Sequence, residues 1–119
     1  MVHRRVVAVI PYNDRLLSEA FYNLLGFRRD EDGQDYGDYV MLTDFTGAEI
    51  HLNKAPEGWL NPAQNTYGIY LYADDVEEIA ARLGDKLLHE PKQQPWGMFE
   101  CAASDPANNL VRVGRPSKF

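Results

Sequence analysis

His51 is the side chain best suited by type to chemistry. In residues 48–53 (AEIHLN) the side chains of a strand alternate between two faces, so Glu49 and Asn53 share the face of His51. An imidazole beside a carboxylate can pass a proton, hold an anion when charged, or ligate a metal. A satisfied structural histidine fits the same pattern, and sequence leaves these readings open. His3 and His89 stand at strand ends without a partner pattern. Cys101 lies in an apolar stretch with no base near it in sequence, so a buried structural thiol is expected, not a nucleophile. As the only cysteine it excludes an internal disulfide and suits a reducing, cytoplasmic setting.

The aromatic residues are the second resource: Tyr36, Tyr39, Trp59, Tyr67, Tyr70, Tyr72, Trp96 and Phe99. Flat rings in a cleft suit a planar or cationic ligand through stacking and cation–π contacts, each worth about 0.5–2 kcal/mol. Core packing is the alternative for any one of them. The formal net charge of −6 argues against nucleic acid as a partner and is compatible with a cationic ligand. Residues 30–38 (DEDGQDYGD) concentrate that charge in a turn or flap. No apolar run approaches the roughly 18 residues a membrane span needs, so no membrane partner is expected.

These residues need elements to position them. Residues 5–10 (RVVAVI) read as a strand covered on both faces, broken by Pro11. The short apolar run lacks a small-residue cleavage site, which favours a first strand over a signal peptide. Leu17, Ala20, Phe21, Leu24 and Leu25 form a helical stripe after an N-cap at Asn13 or Asp14, with Gly26 as the stop. Residues 27–29, 39–44 and 48–53 are expected strands. Residues 54–65, with two prolines and Trp59, form a linker. The order then repeats: a strand at 66–72, a helix from Asp75 to Gly84, and a short strand at 87–90. A final hairpin joins residues 96–103 to 110–113 through the turn Asp105-Pro106-Ala107-Asn108-Asn109. The expected organisation is one domain, 1–119: module one about 1–55, linker about 54–65, module two about 66–119.

Two motifs carry a resemblance. Gln94-Pro95-Trp96-Gly97, a strand, and then Asp105-Pro106 with Asn109 is similar to the C-terminal hairpin of the glyoxalase/bleomycin resistance/extradiol dioxygenase (vicinal oxygen chelate) superfamily, bleomycin resistance proteins in particular. Phe21-Tyr22 followed by Leu25-Gly26-Phe27 matches the FY…LGF segment of the same superfamily. The resemblance implies an α+β fold of two βαβββ modules whose curved mixed sheets form a cleft, in a homodimer. Asn108 stands where the family turn has glycine, and asparagine tolerates the left-handed conformation.

The resemblance also implies where a metal would sit. Counting from the matched motifs, the four ligand positions fall on Val7, His51, Ile69 and Arg112. Only His51 can ligate, whereas catalytic metal centres need about three protein ligands. No metal, no cofactor and no catalytic residue is therefore expected. Arg5 and Arg112 on the cleft side could join His51 around an anionic group. The implied function is non-catalytic: sequestering an aromatic or cationic ligand, such as a bleomycin-like antibiotic, in a dimer crevice. The expected ligand-binding residues are Trp96, Tyr70, Tyr72, Phe99, His51, Arg112, Tyr39 and Trp59. The alternative is a metal-dependent glyoxalase-like lyase or dioxygenase, with Glu49 or Glu100 joining His51.

Overall fold

The computed structural model describes residues 4–33 and 35–117. His3 lies outside them. Seven strands and two α-helices follow one another among the described residues: β1 (Ala8–Tyr12), α1 (Arg15–Leu24), β2 (Tyr39–Thr43), β3 (Glu49–Lys54), β4 (Gly68–Tyr72), α2 (Val76–Leu83), β5 (Leu87–Gln93), β6 (Met98–Ser104) and β7 (Leu110–Pro116). They build two mixed sheets, ordered β1-β3-β2 and β4-β7-β6-β5. In each sheet the first strand runs parallel to the last strand of its module, and the remaining pairs are antiparallel.

Local chemistry accounts for the ends. Asp14 caps α1 by accepting from the Leu17 amide at 3.0 Å, and Gly26 takes the positive φ of 98° beyond the helix. Three expectations shift. β1 continues through Pro11 to Tyr12, because β1 is an edge strand and proline needs no inward N–H there. Residues 27–29 do not form a strand. Arg28 makes an isolated bridge to Thr43. β5 also extends beyond the expected 87–90, bending through two register shifts against β6.

One apolar core serves both modules. Ile10, Phe21, Tyr22, Leu42 and Leu52 of the first pack in the same cluster as Val76, Leu83, Cys101, Val111 and Val113 of the second. The helices thus occupy the inner side, and α1 contacts α2. Each sheet turns its other face outward. Burial pushes the Cys101 thiol up to about 11, which makes it an inert core residue.

The modules are joined by a polar knot at the β6–β7 turn. Buried Asp105 accepts from Tyr22 Oη at 2.6 Å, from the Ala107 and Asn109 amides at 2.9 and 2.8 Å, and from Asn109 Nδ2 at 2.7 Å. Asn109 Nδ2 also reaches the Pro11 carbonyl of β1 at 2.9 Å, and Asn65 of the linker donates to Asn109 Oδ1 at 2.7 Å. Burial and then the Asp105 carboxylate push the Tyr22 phenol far above its ordinary value, which keeps it a donor. Asn108 sits at φ 64°, as the turn demands.

Candidate functional site

The outward face of the second sheet is read from its register. Val111 and Val113 of β7 are fully buried and point inward, so Arg112 and Gly114 point outward. Tyr70 lies opposite Arg112 and Tyr72 opposite Gly114, while Glu100 and Ala102 of β6 flank β7 from the other side. The Tyr70 and Tyr72 rings are 4.9 Å apart, tilted by 45°. Trp96, in the turn before β6, donates its indole N–H to Glu100 Oε1 at 2.8 Å. Trp96 and Tyr72 are 62% and 68% exposed, unusually open for large rings. Arg112 makes no hydrogen bond or ion pair among the described residues. The face thus presents three rings and an unpaired guanidinium.

Gly114 makes this packing possible. A Cβ there would lie 2.2 Å from Tyr70 Oη and 2.8 Å from Glu100 Cβ. The Tyr70 side chain therefore crosses β7 over a bare backbone to end beside Glu100. Burial, and then the Glu100 carboxylate, push the Tyr70 hydroxyl up to about 12.

The first sheet carries a different set on its outward face. Tyr39 Oη lies 2.6 Å from His51 Nδ1, and His51 Nε2 lies 2.6 Å from Glu49 Oε2. Arg5 closes the chain on Glu49. A carboxylate cannot donate, so in neutral His51 the proton sits on Nε2 and Nδ1 accepts from Tyr39. Both ring nitrogens are engaged, and no group of three His, Cys, Asp or Glu side chains is placed to hold a metal among the described residues.

His51 first, then Arg5, hold the Glu49 carboxyl below its usual value of 4.5. A carboxyl depressed on folding adds stability that is present above its unfolded value and lost as pH falls through its folded value. Wild-type protein is therefore expected to lose stability more steeply than His51→Gln as pH drops below about 4.5. Urea unfolding at stepped pH reads the difference, and parallel acid limbs would remove His51 as the cause.

The expected site residues divide accordingly. Tyr70, Tyr72, Trp96 and Arg112 share the second face, whereas Tyr39 and His51 share the first. Within one chain these faces lie on the outer sides of the common core, so the single chain does not gather all of them. Phe99 is on the inner face, packed against the core with the Arg115 guanidinium 4.8 Å from its ring centre. Trp59 stands 81% exposed in the linker, on neither sheet. Two of the four implied metal positions also change, Val7 and Ile69, while His51 and Arg112 keep outward positions. Ile69 packs inward with the core and Tyr70 takes the outward position, because a shift of one residue exchanges faces. Val7 precedes β1, and Val9 is the residue opposite His51. Arg5 is tied to Glu49 on the first face, away from Arg112.

No protein-family model matches the chain, and no curated protein does. Solved structures do. A bleomycin resistance determinant encoded on transposon Tn5 superposes with a TM-score of 0.78 at 23% identity, covering 98% of this chain and 100% of that one. A bleomycin-binding protein complexed with bleomycin gives 0.77 at 23% identity, over 97% and 100%. TnmS3, an antibiotic-binding protein from Streptomyces sp. CB03234, gives 0.68 at 25% identity, over 98% and 100%. The chain has the vicinal oxygen chelate fold.

In this vicinal oxygen chelate fold the two recognition motifs are physical partners. Tyr22 of the FY pair bonds Asp105 of the D-P turn. Glu100 is the residue whose part in the ring face was not read from the sequence, where it stood only as a metal suspect. The available signal was its place four residues after Trp96 and on the outward face with Ala102.

Proposed function

We propose that the chain binds and sequesters an aromatic or cationic small molecule without transforming it. The observation that carries this reading is the convergence of Trp96, Tyr70, Tyr72 and Arg112 on one exposed sheet face. Large rings left open to water gain area burial and quadrupole contacts when a planar ligand covers them. The structural neighbours named for bleomycin binding and antibiotic binding support it. A bleomycin-like compound is the first ligand to try, and a reducing cytoplasm is the setting that the lone buried cysteine suits.

A homodimer completes the reading. Each chain leaves outward sheet faces uncovered and β1 and β4 as free sheet edges. A second copy would set the Tyr39–His51 face of one chain against the ring face of the other and form a crevice. Sedimentation at micromolar concentration tests this, and a monomer counts against it.

The binding test is a thermal-shift and calorimetric titration with bleomycin. Saturating ligand at about 100 times its Kd stabilises the native state by about 2.7 kcal/mol. Trp96→Ala is expected to weaken binding about tenfold, the scale of one lost ring contact. No binding of bleomycin or another planar cation at tens of micromolar would overturn the proposal.

A further inference from the structure

Asp75 holds the N-cap position of α2, as Asp14 does of α1, yet its side chain makes no cap hydrogen bond. An aspartate at this position normally accepts from the amides of the first turn and stabilises its helix. The Asp75 side chain is half-buried and has no hydrogen bond or ion pair among the described residues. Helix stability thus does not explain where this carboxylate lies. It lines a groove of about 860 Å³ between the two modules. Sites for small organic ligands run to about 300–1,000 Å³ and occur where structural units meet. Leu25 and Ala48 of module one and Leu71, Ala73 and Ile79 of module two give the groove apolar walls. Phe45, 90% exposed in the β2–β3 turn, also lines it.

The other charged groups of the groove are already engaged, apart from Asp74. Asp44 holds its own turn, where Oδ1 accepts from the Thr46 and Ala48 amides, both at 2.9 Å. Arg115 pairs with Glu77 at 2.6 Å, and Arg82 donates to the Leu24 carbonyl at 2.7 Å. Arg82 also stands seven residues along α2 from Asp75, about 10 Å at the helical rise. Salt screens exposed charges over about 8 Å under physiological conditions. The exposed Asp74 adds a second carboxylate beside Asp75.

We propose that this groove is a second binding site, for a small organic cation whose apolar body lies along Leu71 and Ile79 and whose protonated amine donates to the Asp75 carboxylate. The groove meets the ring face only at Tyr72 and Gly114, and its occupancy does not depend on that face binding anything. Charge complementarity selects the occupant, since Asp74 and Asp75 repel an anion and a neutral apolar molecule leaves both unpaired. Partial exclusion of water strengthens the charge-assisted bond relative to one on an open surface.

The test uses two probes of matched shape, 4-phenylbutylamine and 4-phenylbutan-1-ol, at pH 7. In nuclear magnetic resonance titrations the methyl signals of Leu25, Leu71 and Ile79 report the groove, and the Trp96 indole N–H reports the ring face. Wild-type protein is expected to bind the amine at the groove at least about tenfold more tightly than the alcohol, the effect of one charge-assisted hydrogen bond. Asp75→Asn is expected to bring the two within about twofold. Its melting temperature should not fall, because no cap bond is lost and asparagine caps as well as aspartate. Equal binding of both probes by wild type, or an amine preference that survives in Asp75→Asn, overturns the role of Asp75. Shifts at Trp96 alone overturn the groove site and leave the ring face standing. An absence of methyl shifts at millimolar probe overturns the groove site as well.

Discussion

Asp105→Ala is expected to destabilise the protein by about 4 kcal/mol, in the range for breaking a buried charged network. The carboxylate accepts four hydrogen bonds, from Tyr22, Ala107 and twice from Asn109. Alanine leaves these donors unpaired in the interior, and each orphaned group costs about 1–3 kcal/mol with incomplete additivity. The loss is structural as well as local. Tyr22 belongs to α1, and Asn109 holds the Pro11 carbonyl of β1, so the turn of module two anchors the helix and first strand of module one. Chemical denaturation measures the change. Since whole domains are stable by only about 5–15 kcal/mol, much of the native state's margin should go. Asp105→Asn keeps one acceptor oxygen and should fall between the two. A loss below about 1 kcal/mol would mean the knot is not what joins the modules.

Gly114→Ala should damage both stability and binding. The new Cβ would sit 2.8 Å from Glu100 Cβ and 3.2 Å from the Phe99 carbonyl, distances that flexible side-chain ends cannot absorb. Overpacking of this kind costs about 1–3 kcal/mol. It would also meet Tyr70 Oη at 2.2 Å and force that ring off β7. The platform then loses a ring position and the neighbour of Glu100. Affinity for a planar cation is expected to fall about tenfold or more, the value of one well-placed ring contact. Denaturation and titration on the same variant separate the effects. Normal affinity in a destabilised variant would show that Tyr70 is not part of the binding surface.

Much of the fold was legible because its signals are local. The stripe from Leu17 to Leu25 with Gly26, and the Asp105–Asn109 turn, depend on periodicity and on the φ preferences of a few residues. The site was less legible. Phe99 and Tyr70 are both aromatic strand residues, yet one packs on the core and the other faces out. Strand register decides between them, and an error of one residue turns Ile69 outward and Tyr70 inward. Trp59 reads as an available ring, but no periodicity says that its linker stands apart from both sheets.

By itself the sequence determined the repeating element order, the turn chemistry and the two motifs that identify the fold, since each rests on residues close in the chain. Only the tertiary structure decided that Tyr22 and Asp105 are bonded, that the ring face and the Tyr39–His51 face lie on outer sides of one core, and that Glu100 is buried, bonded to Trp96 and beside the Tyr70 hydroxyl. These depend on pairings between strands far apart in sequence, where the absence of a side chain at Gly114 matters as much as any residue that has one.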